Sequence, residues 1–233
     1  MNAIVTGATK GMGLAISKHL AANKYNLALC ARNAVELDDL RNQLLAKYPE
    51  LTIIVLPTDC GKPDDVSRFA EFVSSQFDFI DVLINNAGLF MPAKMMEEGD
   101  NDLAMQMQVN VFCPHYLSKY FGRRMQQAAK GHIINICSVS SLKPTVTAGS
   151  YSVSKVALLG LTRVLRDELM PSGVKVTAVL PGSTLTGSWE GTTIPASRFV
   201  DANDIALSVI ACLKMSPGAN VDEIIIRPLK GDI

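Results

Sequence analysis

The sequence predicts an α/β fold, a single doubly wound parallel sheet of about seven strands with helices on both faces. Two observations lead there. Seven short β-branched runs are apolar at consecutive rather than alternate positions, as in strands covered on both faces. Longer segments of helical periodicity fall between them, and such alternation implies parallel pairing through right-handed crossovers. A chain of 233 residues, 48% hydrophobic and 19% charged, suits one domain over 1–233 with one substantial core.

Strands are expected at 3–5, 26–30, 52–56, 82–85, 132–136, 175–180 and 223–226. Helices are expected at 12–23, 35–48, 63–76, 101–129, 150–169 and 201–214. Tyr48-Pro49 closes the second helix, because the residue before proline is pushed out of the helical region. Asp201 is placed to cap the last helix, and Pro171-Ser172-Gly173 closes the one before it. The least regular stretch is 182–198, giving a short substrate loop at about 183–200.

Charge narrows the function classes. Basic and acidic residues number 22 each, so the formal charge is zero and a nucleic-acid partner loses ground. The five cysteines are scattered without a C-x-x-C pair, which reads as reduced core thiols. His19, His115 and His132 stand in no zinc-like spacing with them, and no metal is expected. The N-terminus reads as a strand rather than a signal, and no run of 18 apolar residues occurs. A soluble, cytoplasmic chain with no membrane partner is the expectation.

Directly after the first strand comes Thr6-Gly7-Ala8-Thr9-Lys10-Gly11-Met12-Gly13. Small residues allow a tight turn and a close approach of backbone to a pyrophosphate, which the next helix meets with its amides. The second strand ends in Arg32-Asn33, where a carboxylate would favour a ribose 2′-hydroxyl. Arg32 and Lys10 suit a 2′-phosphate instead, so NADP(H) is preferred to NAD(H). Asp59 and Cys60 follow the third strand, with Asp59 a candidate acceptor for an adenine amino group. Asn86-Ala87-Gly88 ends the fourth strand with small residues beside the cofactor.

Tyr151 and Lys155 lie four apart at the start of an amphipathic helix, hence on one face. A nearby ammonium favours the phenolate and lowers a tyrosine that otherwise titrates near 10. Ser138 follows the fifth strand, at the end of a parallel sheet where ligand chemistry gathers. Pro114 has no N–H, so the Asn110 carbonyl loses its ordinary helical partner and is open to a water. A plain helix kink is the other outcome.

Together these motifs resemble the classical short-chain dehydrogenase/reductase family from Asn2 to about Pro228, which has a Rossmann-type fold. The resemblance rests on the glycine loop, Asn85-Asn86-Ala87-Gly88, Asn110, Ser138, Tyr151, Lys155 and Pro181-Gly182 with Thr186 beyond. It implies Tyr151 as acid/base and Ser138 polarising a carbonyl. Lys155 then binds the nicotinamide ribose, the Asn110 carbonyl holds a relay water, and Pro181, Gly182, Thr184 and Thr186 seat the nicotinamide. It implies carbonyl–alcohol interconversion on a small molecule, such as a 3-oxoacyl thioester or small hydroxy acid. It also implies a homodimer or homotetramer formed through the helices at 101–129 and 150–169. Cys137 and Cys60 depart from the usual serine and valine, without removing a catalytic group. Trp189 either packs over a substrate or anchors its loop. A non-catalytic NADP(H) sensor and an epimerase are the rival readings.

Overall fold

The computed structural model describes residues 1–233, apart from the side chain of Ser188. Its strands are β1 (Asn2–Thr6), β2 (Asn26–Ala31), β3 (Ile53–Pro57), β4 (Val82–Asn85), β5 (His132–Ile136), β6 (Lys175–Pro181) and β7 (Glu223–Ile226). They form one parallel sheet in the order β3-β2-β1-β4-β5-β6-β7. Strand order reverses direction between β1 and β4, and a crevice opens there at the carboxyl ends of the strands.

The helices are α1 (Gly11–Ala22), α2 (Ala34–Lys47), α3 (Pro63–Gln76), α4 (Asp102–Met107), α5 (Cys113–Gln127), α6 (Gly149–Leu169) and α7 (Ala202–Leu213). Successive strand residues face opposite sides, which is why the strands are apolar throughout. Val5 and Ile84 pack with Ile16, Leu37 and Ile205 of α1, α2 and α7. Their neighbours Ile4 and Leu83 pack with Phe69 and Phe121 of α3 and α5 on the other side. Truncating Phe69 or Phe121 to alanine would cost about 3 to 5 kcal/mol, because a cavity is left as well as transfer energy lost.

Helix ends obey local chemistry. Asp201 caps α7, its Oδ1 accepting the Asn203 N–H at 2.7 Å. Gly173, at φ 75°, follows the turn that ends α6, in a region that glycine enters without Cβ strain.

The expected single helix at 101–129 is corrected. It is interrupted by a π-helical segment, Gln108–Phe112, in which the Cys113 N–H bonds to the Gln108 carbonyl. Pro114 in the first turn of α5 cannot donate into the α-helical ladder, which removes the bond that would have held the regular register. The helical stretch also ends earlier, since Ala129 has φ 52°.

All five cysteines are free and buried. Buried His132 is pushed down to about 4, first by burial and then by Lys175, so it is neutral at ordinary pH. Its Nε2 lies 2.8 Å from Thr177 Oγ1, whose own proton goes to the Val221 carbonyl. Nε2 is therefore assigned as the protonated nitrogen. No helix among the described residues is long and apolar enough to cross a membrane.

Candidate active site

A cavity of about 750 Å³ occupies the crevice. One end is built from backbone. Gly7 and Gly11 adopt φ 65° and 51°, left-handed values that L side chains rarely take. A Cβ on Gly13 would lie 2.1 Å from the Gly7 carbonyl oxygen, so that position admits no side chain. Asn86 fastens the loop, its Nδ2 donating to the carbonyls of Thr6 at 2.8 Å and Gly7 at 3.1 Å. Thr6 Oγ1 accepts from the amides of Asn86 and Ala87 in return.

Helix α1 starts at Gly11 with no side-chain cap and no acid in its first turn. Its leading amides thus keep their donors and the positive end of the helix dipole for an anion. Thr9, Lys10 and Met12 line the cavity beside it. Lys10, with 73% of its side chain exposed, pairs with Glu36 at 2.9 Å. That bond holds the Glu36 carboxyl below its ordinary range.

Arg32 lines the same end, and so does Lys62, a cation that sequence reasoning missed. Two other residues carry local duties. Asn33 Oδ1 caps α2 through the amides of Val35 and Glu36, and Asp59 Oδ1 accepts the Gly61 N–H at 2.9 Å. Cys60 neighbours the buried Cys30 and Cys113 thiols. Its proximity, with burial, pushes both of those thiols up.

The other end is built from side chains, with Lys155, Ser138 and Asn110 buried and Tyr151 half-buried. Lys155, 4% exposed, donates from Nζ to the Ile136 carbonyl at 2.9 Å and lies 5.8 Å from the Tyr151 ring centroid. Burial pushes it down to about 8. Burial pushes Tyr151 up to about 12, opposed by a hydrogen bond with Ser138. This reverses the downward direction expected from Lys155 alone. Loss of water around the phenolate outweighs an ammonium whose donor is directed at a backbone carbonyl. The Phe90 ring meets Tyr151 edge-on at 4.7 Å.

Ser138 and Asn110 are buried against this end. Ser138 Oγ accepts the Ser140 N–H at 3.1 Å and turns its own proton to Tyr151, the hydrogen bond that opposes the upward shift. The Asn110 side chain is engaged three times: Oδ1 with the Leu89 N–H, and Nδ2 with the Leu89 carbonyl and Ser154 Oγ. Ser154 Oγ donates in turn to the Tyr151 carbonyl at 2.7 Å. The π-helical segment therefore holds Asn110 directly against the second turn of α6.

Beyond β6 the expected residues divide. Thr186 lines the cavity, and its γ-methyl would lie 2.9 Å from a Cβ on Gly11. Pro181, Gly182 and Thr184 turn instead toward the C-terminal segment and the loop. The Gly182 N–H bonds to Ile226, and Thr184 bridges to Val200. Trp189 packs edge-on against Phe199 at 4.9 Å, so it anchors the loop.

Residues 1–194 match the family model for short chain dehydrogenases. The chain belongs to the short-chain dehydrogenase family. Like its relatives, this short-chain dehydrogenase is an oxidoreductase. It is 32% identical over 228 residues to an uncharacterized oxidoreductase of Staphylococcus epidermidis, covering 97% of this chain and 96% of that one. Its fold is similar to an alcohol dehydrogenase from the archaeon Thermococcus sibiricus complexed with 5-hydroxy-NADP. That match has a TM-score of 0.90 and 25% identity over 98% of this chain and 96% of the other. A metagenomic short-chain oxidoreductase in complex with NADP matches with a TM-score of 0.85 and 27% identity, covering 98% and 96%.

Proposed function

We propose that the protein interconverts a carbonyl and a secondary alcohol with NADP(H), Tyr151 moving the proton. The observation that carries this reading is one cavity that joins an uncapped helix N-terminus, flanked by Arg32, to the half-buried Tyr151 and the buried Lys155. The cradle fits a dinucleotide: glycines at φ 65° and 51° bring backbone amides to the surface, and no side chain fits at Gly13. Arg32, Lys62 and Lys10 supply the charge that a 2′-phosphate requires. Thr186, Asn86, Ala87 and Gly88 would flank the nicotinamide half. The bound group supplies or accepts the hydride.

The chain's own residues handle the oxygen and its proton. The Ser138 hydroxyl turns its proton from Tyr151 to the substrate oxygen. Tyr151 gives that oxygen a proton in reduction and takes it back in oxidation. A phenol raised to about 12 holds its proton firmly until a charged partner is near, which favours the acid role first. Lys155, lowered to about 8, keeps an ammonium at neutral pH beside the phenol, where it would hold a ribose hydroxyl of the cofactor. The Asn110 carbonyl, denied its α-helical partner by Pro114, accepts the water that returns the proton. Leu89, Phe90 and Met105 give the open side an apolar wall, with Thr186 and Gly187 of the 183–200 loop beside it, which suits a 3-oxoacyl thioester or a small hydroxy acid. Exposed Tyr116 on α5, and Val153, Val156 and Val164 on α6, supply the face for a homodimer or homotetramer.

Tyr151→Phe tests the reading. We expect NADPH binding by fluorescence titration to be unchanged and turnover, followed by NADPH absorbance, to fall about 100- to 10,000-fold. Near-normal turnover would sink the assignment. Tight NADPH binding without turnover on any carbonyl or alcohol would point to a sensor of the same fold.

A further inference from the structure

We infer that Glu98 is a positioning residue whose carboxylate fixes the first turn of α6 and so aims the Tyr151 phenol. The inference rests on the reading of Tyr151 given above.

Helix α6 has no cap of its own. Ala148 stands at its N-cap position and offers no side-chain acceptor, and the first turn contains no acid. Its leading amides need partners from elsewhere, and an unheld first turn frays. The partners come from the irregular segment between β4 and α4. The Ala93 carbonyl accepts the Gly149 N–H at 3.0 Å. Glu98 Oε2 accepts the Ser150 N–H at 3.4 Å, and Glu98 Oε1 accepts a short hydrogen bond from Ser150 Oγ.

A residue 52 positions away thus does the work of an N-cap. Its negative charge also lies at the positive end of the helix dipole. Ser150 is 1% exposed, so water does not compete readily for these bonds. The approach is close: a Cβ on Gly149 would lie 3.1 Å from Met95 Cβ, and only a small residue fits there. Tyr151 is the next residue along the helix. The same segment places Phe90 against the Tyr151 ring and Leu89 against Asn110. Glu98 is therefore the charged end of a strap that touches both Tyr151 and Asn110.

The test compares Glu98→Ala with Glu98→Gln, whose carbonyl can still accept one of the two bonds. Hydrogen exchange at the Ser150 and Tyr151 amides is read without any ligand, and kcat, KM and NADPH Kd follow on the best carbonyl substrate. In Glu98→Ala we expect faster exchange at those amides and kcat lowered about 10- to 100-fold, as a small misplacement of a reacting group brings. KM and Kd should stay at parent values, the melting temperature should fall by only a few degrees, as loss of one helix cap brings, and Glu98→Gln should recover most of the rate. Parent-like kcat and exchange in Glu98→Ala would overturn the inference. So would a rate loss that Glu98→Gln shares in full, or one that only tracks a fall in melting temperature. Tyr151→Phe run alongside separates the two claims. Full turnover there removes the proton role of Tyr151, and this inference with it. An inactive Tyr151→Phe beside an unimpaired Glu98→Ala removes only the inference about Glu98.

Discussion

Lys10 and Lys155 stand at opposite ends of one crevice and experience different physics. Lys10 is 73% exposed and paired with Glu36 in water's reach. Lys155 is 4% exposed, and its ammonium is held by a backbone carbonyl. At the first end recognition is shared among amides and several cations. At the second, burial displaces both titratable side chains from their usual range. Binding a large anionic cofactor tolerates redundancy, whereas moving one proton does not. The two ends should respond to mutation accordingly.

The largest effect belongs to Lys155→Met. Turnover should fall about 100-fold or more, since both the acid and its environment are disturbed. The same variant tests the cost of burial. Folded Lys155 releases its proton near pH 8, but unfolded lysine near 10.5. Between those values the unfolded chain binds more protons, so this residue makes stability rise with pH. Tyr151 acts oppositely, but only between about 10 and 12. From about pH 7 to 9.5 the parent should gain about 2 kcal/mol on Lys155→Met in urea unfolding. Parallel curves would show that the ammonium is better solvated than its burial implies.

Next comes Arg32→Ala. Removing bonds from a guanidinium to a phosphate should weaken NADPH binding about 10- to 100-fold and leave NADH little changed. The smallest effect is expected for Lys10→Ala, under about fivefold on NADPH, because an exposed ion pair contributes little. Calorimetric titration of both variants ranks them. Equal losses would mean that Lys10 leaves Glu36 for the phosphate, and the contrast between the two lysines would narrow.

The sheet was legible because a parallel strand carries its burial on its surface. Val5 and Ile4 are both apolar for separate cores, and no distant information is needed to see it. Tyr151 and Lys155 were legible for a similar reason, since four residues along a helix fix a common face. What stayed hidden depends on contacts between segments. Burial at the base of α6 reverses the pKa direction that local spacing gives Tyr151. Glu36 stands four residues beyond Arg32, yet its bond to Lys10 exists only once two loops meet. Lys62 reaches the same end from the turn after β3. Asn33 and Asp59 were legible as candidates for ligand contacts, and their side chains also cap a helix and close a turn. The glycine after Pro181 was legible too, but which way the loop turns depends on β7 and the C-terminal residues.

The π-helical segment has a consequence for the chain's tolerance of length changes. It amounts to a single surplus residue in an otherwise regular helix. Each residue of an α-helix turns the chain by roughly 100°. Deleting one residue between Gln108 and Phe112 would restore a regular spiral and rotate α4 about its axis by that amount relative to α5. Asn110 would swing away from Leu89 and Ser154, although every other residue of the site kept its identity. One position in the count of residues, rather than any side chain, thus sets the phase between the two halves of this helix.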